Sequence, residues 1–516
     1  MAAERVTKKV TGWSSTAVWY PPLLAAGVRV GRCHDLRLCR AILALAVPGS
    51  EEGGPVWDAA PAEHLADALF ALGEDGPRAE AIGETSAEHE RQEAALARAE
   101  DPGRMRLLLA AESAGALVAA EMMAAGLPWD EGRHDALLRA ELGERMAGGT
   151  PSVIASTAAA VREALGDPTA SLDSQPKLLR ALHRAGVHVE STSKWELAEH
   201  DHPVVAPLLE YKRLMRLYTA NGWAWLAEWV RDGRFRPVYV PGGVVTGRWA
   251  SSGGGALQLP RGLREAVRAD PGWVLVDADV AQLEPRVLAA MARDERMAQA
   301  AGTDLYTGLV RSGTVATRSE AKVAMLGALY GSTTGDAGRL VPRLRQAFPR
   351  AMALVDAAAR EGERGGQVTT WLGRVSPPPT DAWREAQRRA SGGPSEEQRA
   401  RRLARDQGRF TRNFVVQGTA AEWALAWLGD LRSRLAAIEP VAGHRAARRS
   451  GPVFSRRPHL AFFLHDEVIV HAPAERADEA AEAVRAAAEA AGQLLFGSFP
   501  IAFPLDVRIG ASAAKD

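Results

Sequence analysis

Residues 273–280 read Trp-Val-Leu-Val-Asp-Ala-Asp-Val, and residues 462–470 read Phe-Phe-Leu-His-Asp-Glu-Val-Ile-Val. The first stretch alternates as a β-strand should: Val274, Val276, Ala278 and Val280 face one way, Leu275, Asp277 and Asp279 the other. The second holds a charged triplet, His465-Asp466-Glu467, between the apolar runs Leu460–Leu464 and Val468–His471, which is the pattern of a hairpin. An acid on an apolar strand is costly unless it is paired or holds a metal. Singly, each acid has an ordinary explanation: a structural arginine partner for Asp279, a solvated turn for Asp466. Together, two carboxylates brought from distant parts of a chain to the ends of strands can hold two Mg²⁺ about 4 Å apart. Such a pair stabilises both the attacking and the leaving oxygen of a phosphoryl transfer.

Between the two lies Arg318-Ser-Glu-Ala-Lys322-Val-Ala-Met-Leu326-Gly-Ala-Leu-Tyr330-Gly331. On a helix, Arg318, Lys322, Leu326 and Tyr330 recur every fourth residue along one slowly drifting face. Two cations followed by an aromatic would grip a triphosphate and press on a base; the plainer alternative is a solvated basic turn leading into a core stripe. Lys322 weighs against the plainer one. Nearly every base in this chain is arginine, and no other lysine lies between Lys212 and Lys515, so a lone lysine marks a need for a compact ammonium.

Around these stretches the chain is ordinary. It has 516 residues, 47% hydrophobic and 24% charged, a prior of about three domains or one lobed enzyme. Lys+Arg and Asp+Glu both number 63, so global charge gives no sign of nucleic acid. Cys33 and Cys39 neither staple a chain this long nor complete a zinc site. Residues 1–19 lack the apolar core of a signal peptide. The most apolar stretch, residues 107–127, contains Glu112 and Glu121 and reads as a buried helix rather than a membrane span. A cytoplasmic, reduced, monomeric protein with no membrane association is the expectation. The chain is mostly helical to about residue 237, with a short strand at 28–32 and a helix at 104–125 stopped by Gly126-Leu127-Pro128. Strands follow at 238–240, 244–245 and 273–280, helices over 286–365, then a polar arginine-rich stretch at 376–405 broken by prolines and by Gly392-Gly393-Pro394. A helix at 409–435, the hairpin and a helix at 474–496 complete it. A discontinuous sheet interrupted by a helical insertion is implied.

In this order the segments resemble motifs A, B and C of family A DNA polymerases, the bacterial DNA polymerase I family. Asp279-Val-Ala-Gln282-Leu-Glu284-Pro-Arg286 is similar to motif A, residues 318–331 to motif B, and His465-Asp466-Glu467 to motif C. Thr246-Gly247-Arg248 with Leu257-Gln258-Leu259-Pro260 resembles the stretch before motif A. Arg409, Asn413 and residues 417–421 resemble the helix between motifs B and C. The match covers roughly 105–516, and five ordered motifs are specific where each alone is not.

The resemblance implies an α/β, mostly helical right-hand fold: thumb 105–240, palm 241–300 and 406–516 with an antiparallel sheet, fingers 301–405, and a degenerate 3′–5′ exonuclease-like region at 1–104. It implies a DNA-directed DNA polymerase using two Mg²⁺, with Mn²⁺ as substitute, on primer-template DNA and dNTPs. Asp279 and Asp466 would bind the metals, with Glu467 a further ligand candidate. Lys322 and Arg318 would hold the triphosphate, Lys322 also giving a proton to pyrophosphate. Tyr330 would stack at the insertion site, Glu284 would crowd the sugar 2′ position, and Gln282 and Leu326 would line the nucleotide site. Arg248 and Gln417 would probe the minor groove at the primer end, and Arg409, Asn413 and His465 would position primer and template.

The chain departs from the family pattern in places. Leu326 stands where Phe or Tyr is usual, Val280-Ala281 replaces Tyr-Ser, Pro285 replaces Leu, and Leu259 and Met325 each replace Asn. Proline suits a helix's first turn, so the motif A helix should begin near Gln282. No Asp-x-Glu occurs in residues 1–105, so proofreading is not expected, nor is a nick-translating 5′ nuclease domain upstream. Two other readings stay open. A single-subunit RNA polymerase shares the acids and the Arg-x-x-x-Lys helix, although Glu284 and Glu467 argue against it. A catalytically weak DNA-binding scaffold is the second, against which stand the retained acids and Lys322.

Overall fold

The computed structural model describes residues 11–50, 82–144, 149–255, 259–302, 304–331 and 335–514. Leu257 and Gln258, part of the stretch before motif A, lie outside them. The backbone divides into two units: residues 1–127, 237–257 and 269–511, and residues 128–236, 258–268 and 512–516.

The first unit opens on two short parallel strands, Thr11–Trp13 and Cys33–Asp35, around the helix Thr16–Ala25. The expected strand at 28–32 is absent because Val30 N–H donates to the Tyr20 hydroxyl (3.2 Å) instead of to a neighbouring strand. Helix α1, Pro102–Ala125, starts on an Asp101 side chain that accepts from Arg104 N–H, with proline in the first turn, and ends at Gly126 (φ 69°). By length and composition α1 is apolar enough to cross a membrane. Here it is a core helix: Leu108, Leu117 and Val118 are buried, and so are Glu112 and Glu121, each bonded to arginine.

Strand β1, Trp273–Val280, is an inner strand of a four-stranded antiparallel sheet. Helix α2, Leu283–Met291, follows directly; its cap is Gln282 in the left-handed region (φ 54°), and Pro285 sits in its first turn. Helix α3, Arg318–Tyr330, begins with a capping box of Thr317 and Glu320 and stops at Gly331 (φ 72°). Helix α4, Pro349–Glu363, packs on helix α5, Pro394–Ala437. The polar stretch thus differs from expectation. Gly393-Pro394 starts a helix instead of breaking one, proline at the first position being already set for it, and α5 runs 44 residues without interruption. A fingers-to-palm limit at 405/406 falls inside it.

Strands β2, His459–Leu464, and β3, Glu467–Pro473, form the expected hairpin, its turn taking His465 to φ 56°. Positive φ at the first of two turn residues matches the right-handed twist of the strands. Helix α6, Ala477–Phe496, and strand β4, Leu505–Gly510, complete the unit. Sheet order is β4-β1-β3-β2. The expected strand at 244–245 is instead a turn, closed by Gly247 N–H to Val244 O (2.8 Å), between paired strands Val238–Val240 and Ala250–Gly253.

The second unit is a helical cluster. Helices Glu131–Leu142, Ser152–Leu165, Gln175–Arg184 and Val205–Asn221 bury Leu138, Val161, Leu182, Leu208 and Leu214 among them. Strands Val230–Arg231 and Arg234–Phe235 pair in a short hairpin.

Candidate active site

Register brings the acids together. In the antiparallel ladder Asp279 stands opposite Glu467 on one side and Asp506 on the other, and Asp277 stands opposite Arg508. Directly paired residues share a face, so Asp277, Asp279, Glu467, Asp506 and Arg508 line one side of the sheet. The hairpin turn then delivers Asp466 beside Asp279, with Val280 N–H donating to Asp466 O at 2.9 Å. Burial, and next the charge of Asp279, push the Asp466 carboxyl up to about 7. Two carboxylates held this close resist sharing negative charge, which is the electrostatic demand a divalent cation answers. No cluster of three or more metal-ligating side chains occurs among the described residues. Magnesium is commonly held by one or two carboxylates and completed by substrate phosphates, so this two-acid donor set fits it.

A cleft opens beside the acids, and Arg248, Gln282, Glu284, Leu326, Tyr330, His465 and Asp466 all line it. Glu284, in the first turn of α2, is its hub. It accepts from the Arg248 guanidinium and, through Oε2, from the Tyr330 hydroxyl (3.1 Å). Burial, then Glu284's charge, push the Tyr330 phenol up to about 12. His465 is held down to about 4, first by burial and then by Arg248, so the ring is neutral at pH 7. Thr246 Oγ1 donates to Gln417 Oε1 (3.0 Å), joining the turn before Arg248 to helix α5.

The two cations of α3 lie outside this lining. Lys322 is exposed on α3, and Arg318, at the helix start, donates from Nε to Asp304 Oδ2 at 2.9 Å. Asp304 also accepts from Gln282 Nε2 (2.9 Å). Burial alone would raise Asp304, but Arg318 and the N–H and hydroxyl donors of the next helix draw it down to about 2. Helix α3 is therefore tied towards α2 at both ends, through Arg318–Asp304–Gln282 and through Tyr330–Glu284. Arg409 pairs with Asp406 on α5, and Asn413 lies half-buried one turn further on. Arg286, fully buried, donates to the carbonyls of Ala281, Ala301, Gly302 and Ala502 and fixes the entry to α2.

The sequence reading missed Asp304 and the strand carrying Asp506 and Arg508. Their signals were present: Asp304 precedes an apolar run as a helix cap does, and Leu505-Asp-Val-Arg-Ile-Gly510 alternates with period two.

Comparison with known proteins agrees with this geometry. The sequence profile of DNA polymerase family A matches residues 171–515. The thermostable DNA polymerase I of Thermus aquaticus is 28% identical over 356 residues, covering 63% of this chain and 38% of that protein. DNA polymerase I of Chloroflexus aurantiacus is 30% identical over 345 residues, 61% of this chain and 33% of that one. The chain thus spans about a third of the length of these curated relatives. A solved structure described as the POL domain of Pol1 from M. smegmatis, in complex with DNA primer-template and dNTP, has a TM-score of 0.64 at 18% identity. It covers 84% of this chain and 74% of that one. The mostly helical fold with an antiparallel sheet is accordingly that of a polymerase domain.

Proposed function

The chain belongs to DNA polymerase family A, and from that membership we propose that it adds deoxynucleotides to a primer 3′-hydroxyl on a DNA template. The observation that carries the proposal is the strand register that sets Asp279 and the hairpin turn of Asp466 side by side, with Asp466 lining the cleft. Family A polymerases use divalent metal ions, and Asp279 and Asp466 would hold two Mg²⁺, or Mn²⁺ in its place, with Glu467 adjoining them. Bound there, the ions would supply charge stabilisation for the attacking and leaving oxygens.

The remaining work falls to the chain's own side chains. Lys322 and Arg318 draw the triphosphate to α3, and Lys322 protonates the departing pyrophosphate. Gln282, Leu326 and Tyr330 hold sugar and base. Glu284 crowds the 2′ position, which favours dNTPs over rNTPs and counts against an RNA polymerase. Arg248 and Gln417 inspect minor-groove acceptors at the primer end, while Arg409, Asn413 and His465 set primer and template.

The division into thumb (105–240), palm (241–300 and 406–516) and fingers (301–405) belongs to this proposal. So do the degenerate exonuclease-like character of residues 1–104, the absence of proofreading, and a monomeric, cytoplasmic state.

The test is primer extension with Mg²⁺, with dNTPs and rNTPs offered separately to the wild type and to Asp279→Ala and Asp466→Ala. Extension with dNTPs, reduced on the order of a hundred- to thousand-fold or more in each variant, is expected. Extension with rNTPs alone, or tight primer-template binding without extension, would refute it.

A further inference from the structure

A buried ion pair is formed by two residues that were given no role above. Glu112, midway along α1, and Arg374, on the loop after α4, are 1% and 8% exposed. Arg374 Nη2 donates to Glu112 Oε2 at 2.6 Å. Such a pair is poor evidence for stability, since apolar side chains of the same volume commonly do as well. What it offers that apolar packing does not is a fixed geometry.

The geometry concerns the turn that delivers Arg248. Gly247 has φ +85°, and a Cβ on it would lie 2.8 Å from Arg374 Nε and 2.9 Å from Cζ and Nη2. Gly242 has φ +62°, and a Cβ there would lie 2.6 Å from Glu112 Oε1. Two glycines thus let the backbone rest on the two halves of one ion pair. Between them the turn is closed by Val244 N–H to Arg248 O (3.1 Å) and Gly247 N–H to Val244 O (2.8 Å). Wherever the turn rests, Thr246 and Arg248 follow, and these bond Gln417 and Glu284.

The Arg374 loop is in turn fastened to α5. Arg374 N–H donates to Thr370 Oγ1 (2.9 Å), the Thr370 hydroxyl to Glu422, and Leu372 N–H to Glu422 Oε2 (3.0 Å). Trp371 N–H donates to Thr419 Oγ1 (3.0 Å). Glu422 and Thr419 lie just beyond Gln417 on the same helix. One buried frame therefore holds the turn bearing Arg248 and the helix bearing Gln417.

We propose that Glu112 and Arg374 are positioning residues that set Arg248 and Gln417 against the primer-terminal base pair, and so determine how strongly the enzyme rejects a mispaired end. The inference rests on the polymerase reading above. Minor-groove acceptors occupy common places in all correct pairs, so a probe selects only as well as its own position is fixed. A misplacement of about 1 Å is worth up to roughly a hundredfold in rate.

The experiment measures single-nucleotide extension of three primers by the full chain. One ends in a matched guanine, one in a mismatch, and one in a matched 3-deazaguanine, which lacks the minor-groove N3 acceptor. Wild type, Glu112→Gln and Gly247→Ala are compared. The wild type should lose rate on the deaza primer. Each variant should be slowed about tenfold or more on the matched primer, lose little further on the deaza primer, and show a match-to-mismatch ratio reduced by a similar factor. That non-additivity is the signature of a shared interaction, which a merely structural role does not produce. Variants that slow equally on all three primers, or keep the full deaza penalty, overturn the inference; so does a wild type indifferent to the deaza substitution. If Glu112→Gln fails to fold, Gly247→Ala decides, since it leaves the ion pair charged and displaces the turn. A wild type that extends none of the primers overturns the polymerase reading and this inference with it.

Discussion

Replacing Glu121 by glutamine should loosen the joint between the N-terminal segment and the polymerase body, and should do so less at low pH. Glu121 lies 5% exposed on α1. It accepts from Arg29 (Nε 3.0 Å, Nη2 2.8 Å), from Arg432 of α5 (Nε 3.0 Å, Nη2 2.6 Å) and from the Tyr20 hydroxyl (2.7 Å). Burial by itself would raise this carboxyl, but the two guanidinium groups hold it down at about 2. Glutamine leaves Arg432 buried without a counter-charge, a change that costs about 3–5 kcal/mol. The sign of the pH effect follows from the depressed value. Between about pH 4.5 and 2 the unfolded chain binds the proton that the folded one refuses, so the stabilisation is full above 4.5 and fades as pH falls. The depression from 4.5 to about 2 corresponds to roughly 3 kcal/mol at pH 7, of which about 2 kcal/mol survives at pH 3.5. Native-state hydrogen exchange of α1 peptides, compared between wild type and Glu121→Gln at one pH, cancels the intrinsic exchange rate. The gap in opening free energy should be about 3–5 kcal/mol at pH 7 and smaller by roughly 1 kcal/mol at pH 3.5. A gap under about 1 kcal/mol at neutral pH, or one that does not change with pH, would refute the reasoning.

Three further outcomes are expected. On the proposed reading of Glu284 as the sugar gate, Glu284→Ala should shift the ratio of rNTP to dNTP kcat/KM by roughly ten- to two-hundred-fold towards rNTPs; an unchanged ratio rules out the gate. Gly115→Ala places a Cβ 2.5 Å from Leu425 Cδ2 where α1 crosses α5, and should destabilise by about 1–3 kcal/mol in urea unfolding; a neutral result would mean that the crossing yields freely. His134 in the second unit is fully buried between Trp129 and the Asn221 carbonyl, and burial lowers its pKa to about 4. The unfolded chain protonates first, so that unit should lose about 2 kcal/mol between pH 7 and 5, seen as faster exchange of the helix Glu131–Leu142 after intrinsic-rate correction, and no loss in a His134 variant that cannot titrate.

The hairpin and the first acid-bearing strand were legible because alternation is a local signal and both strands are buried. The helix start at Gln282 was legible because a proline three residues on admits few alternatives. What escaped needed partners that only the fold supplies. Glu112 and Glu121 read as polar interruptions of an apolar helix; their arginines, Arg374, Arg29 and Arg432, are up to about three hundred residues away in the chain. Pro394 read as a break because a proline at a helix start and one that ends a helix look alike until the following turns are seen. Asp304 gave no sign of serving both Gln282 and Arg318, since its neighbours announce only a cap.

Helix α5 has a mechanical consequence. At about 1.5 Å per residue, its 44 residues form a rod some 66 Å long. Gln417 lies 23 residues from the Pro394 end, a lever arm of about 35 Å. Pivoting the rod by about 2° around Gln417 swings that far end by roughly 1 Å, and a 1 Å push at the far end returns to Gln417 as little more than a slight rotation. Were it to pivot there, coarse displacement at the Pro394 end would arrive as a fine adjustment where Gln417 meets Thr246.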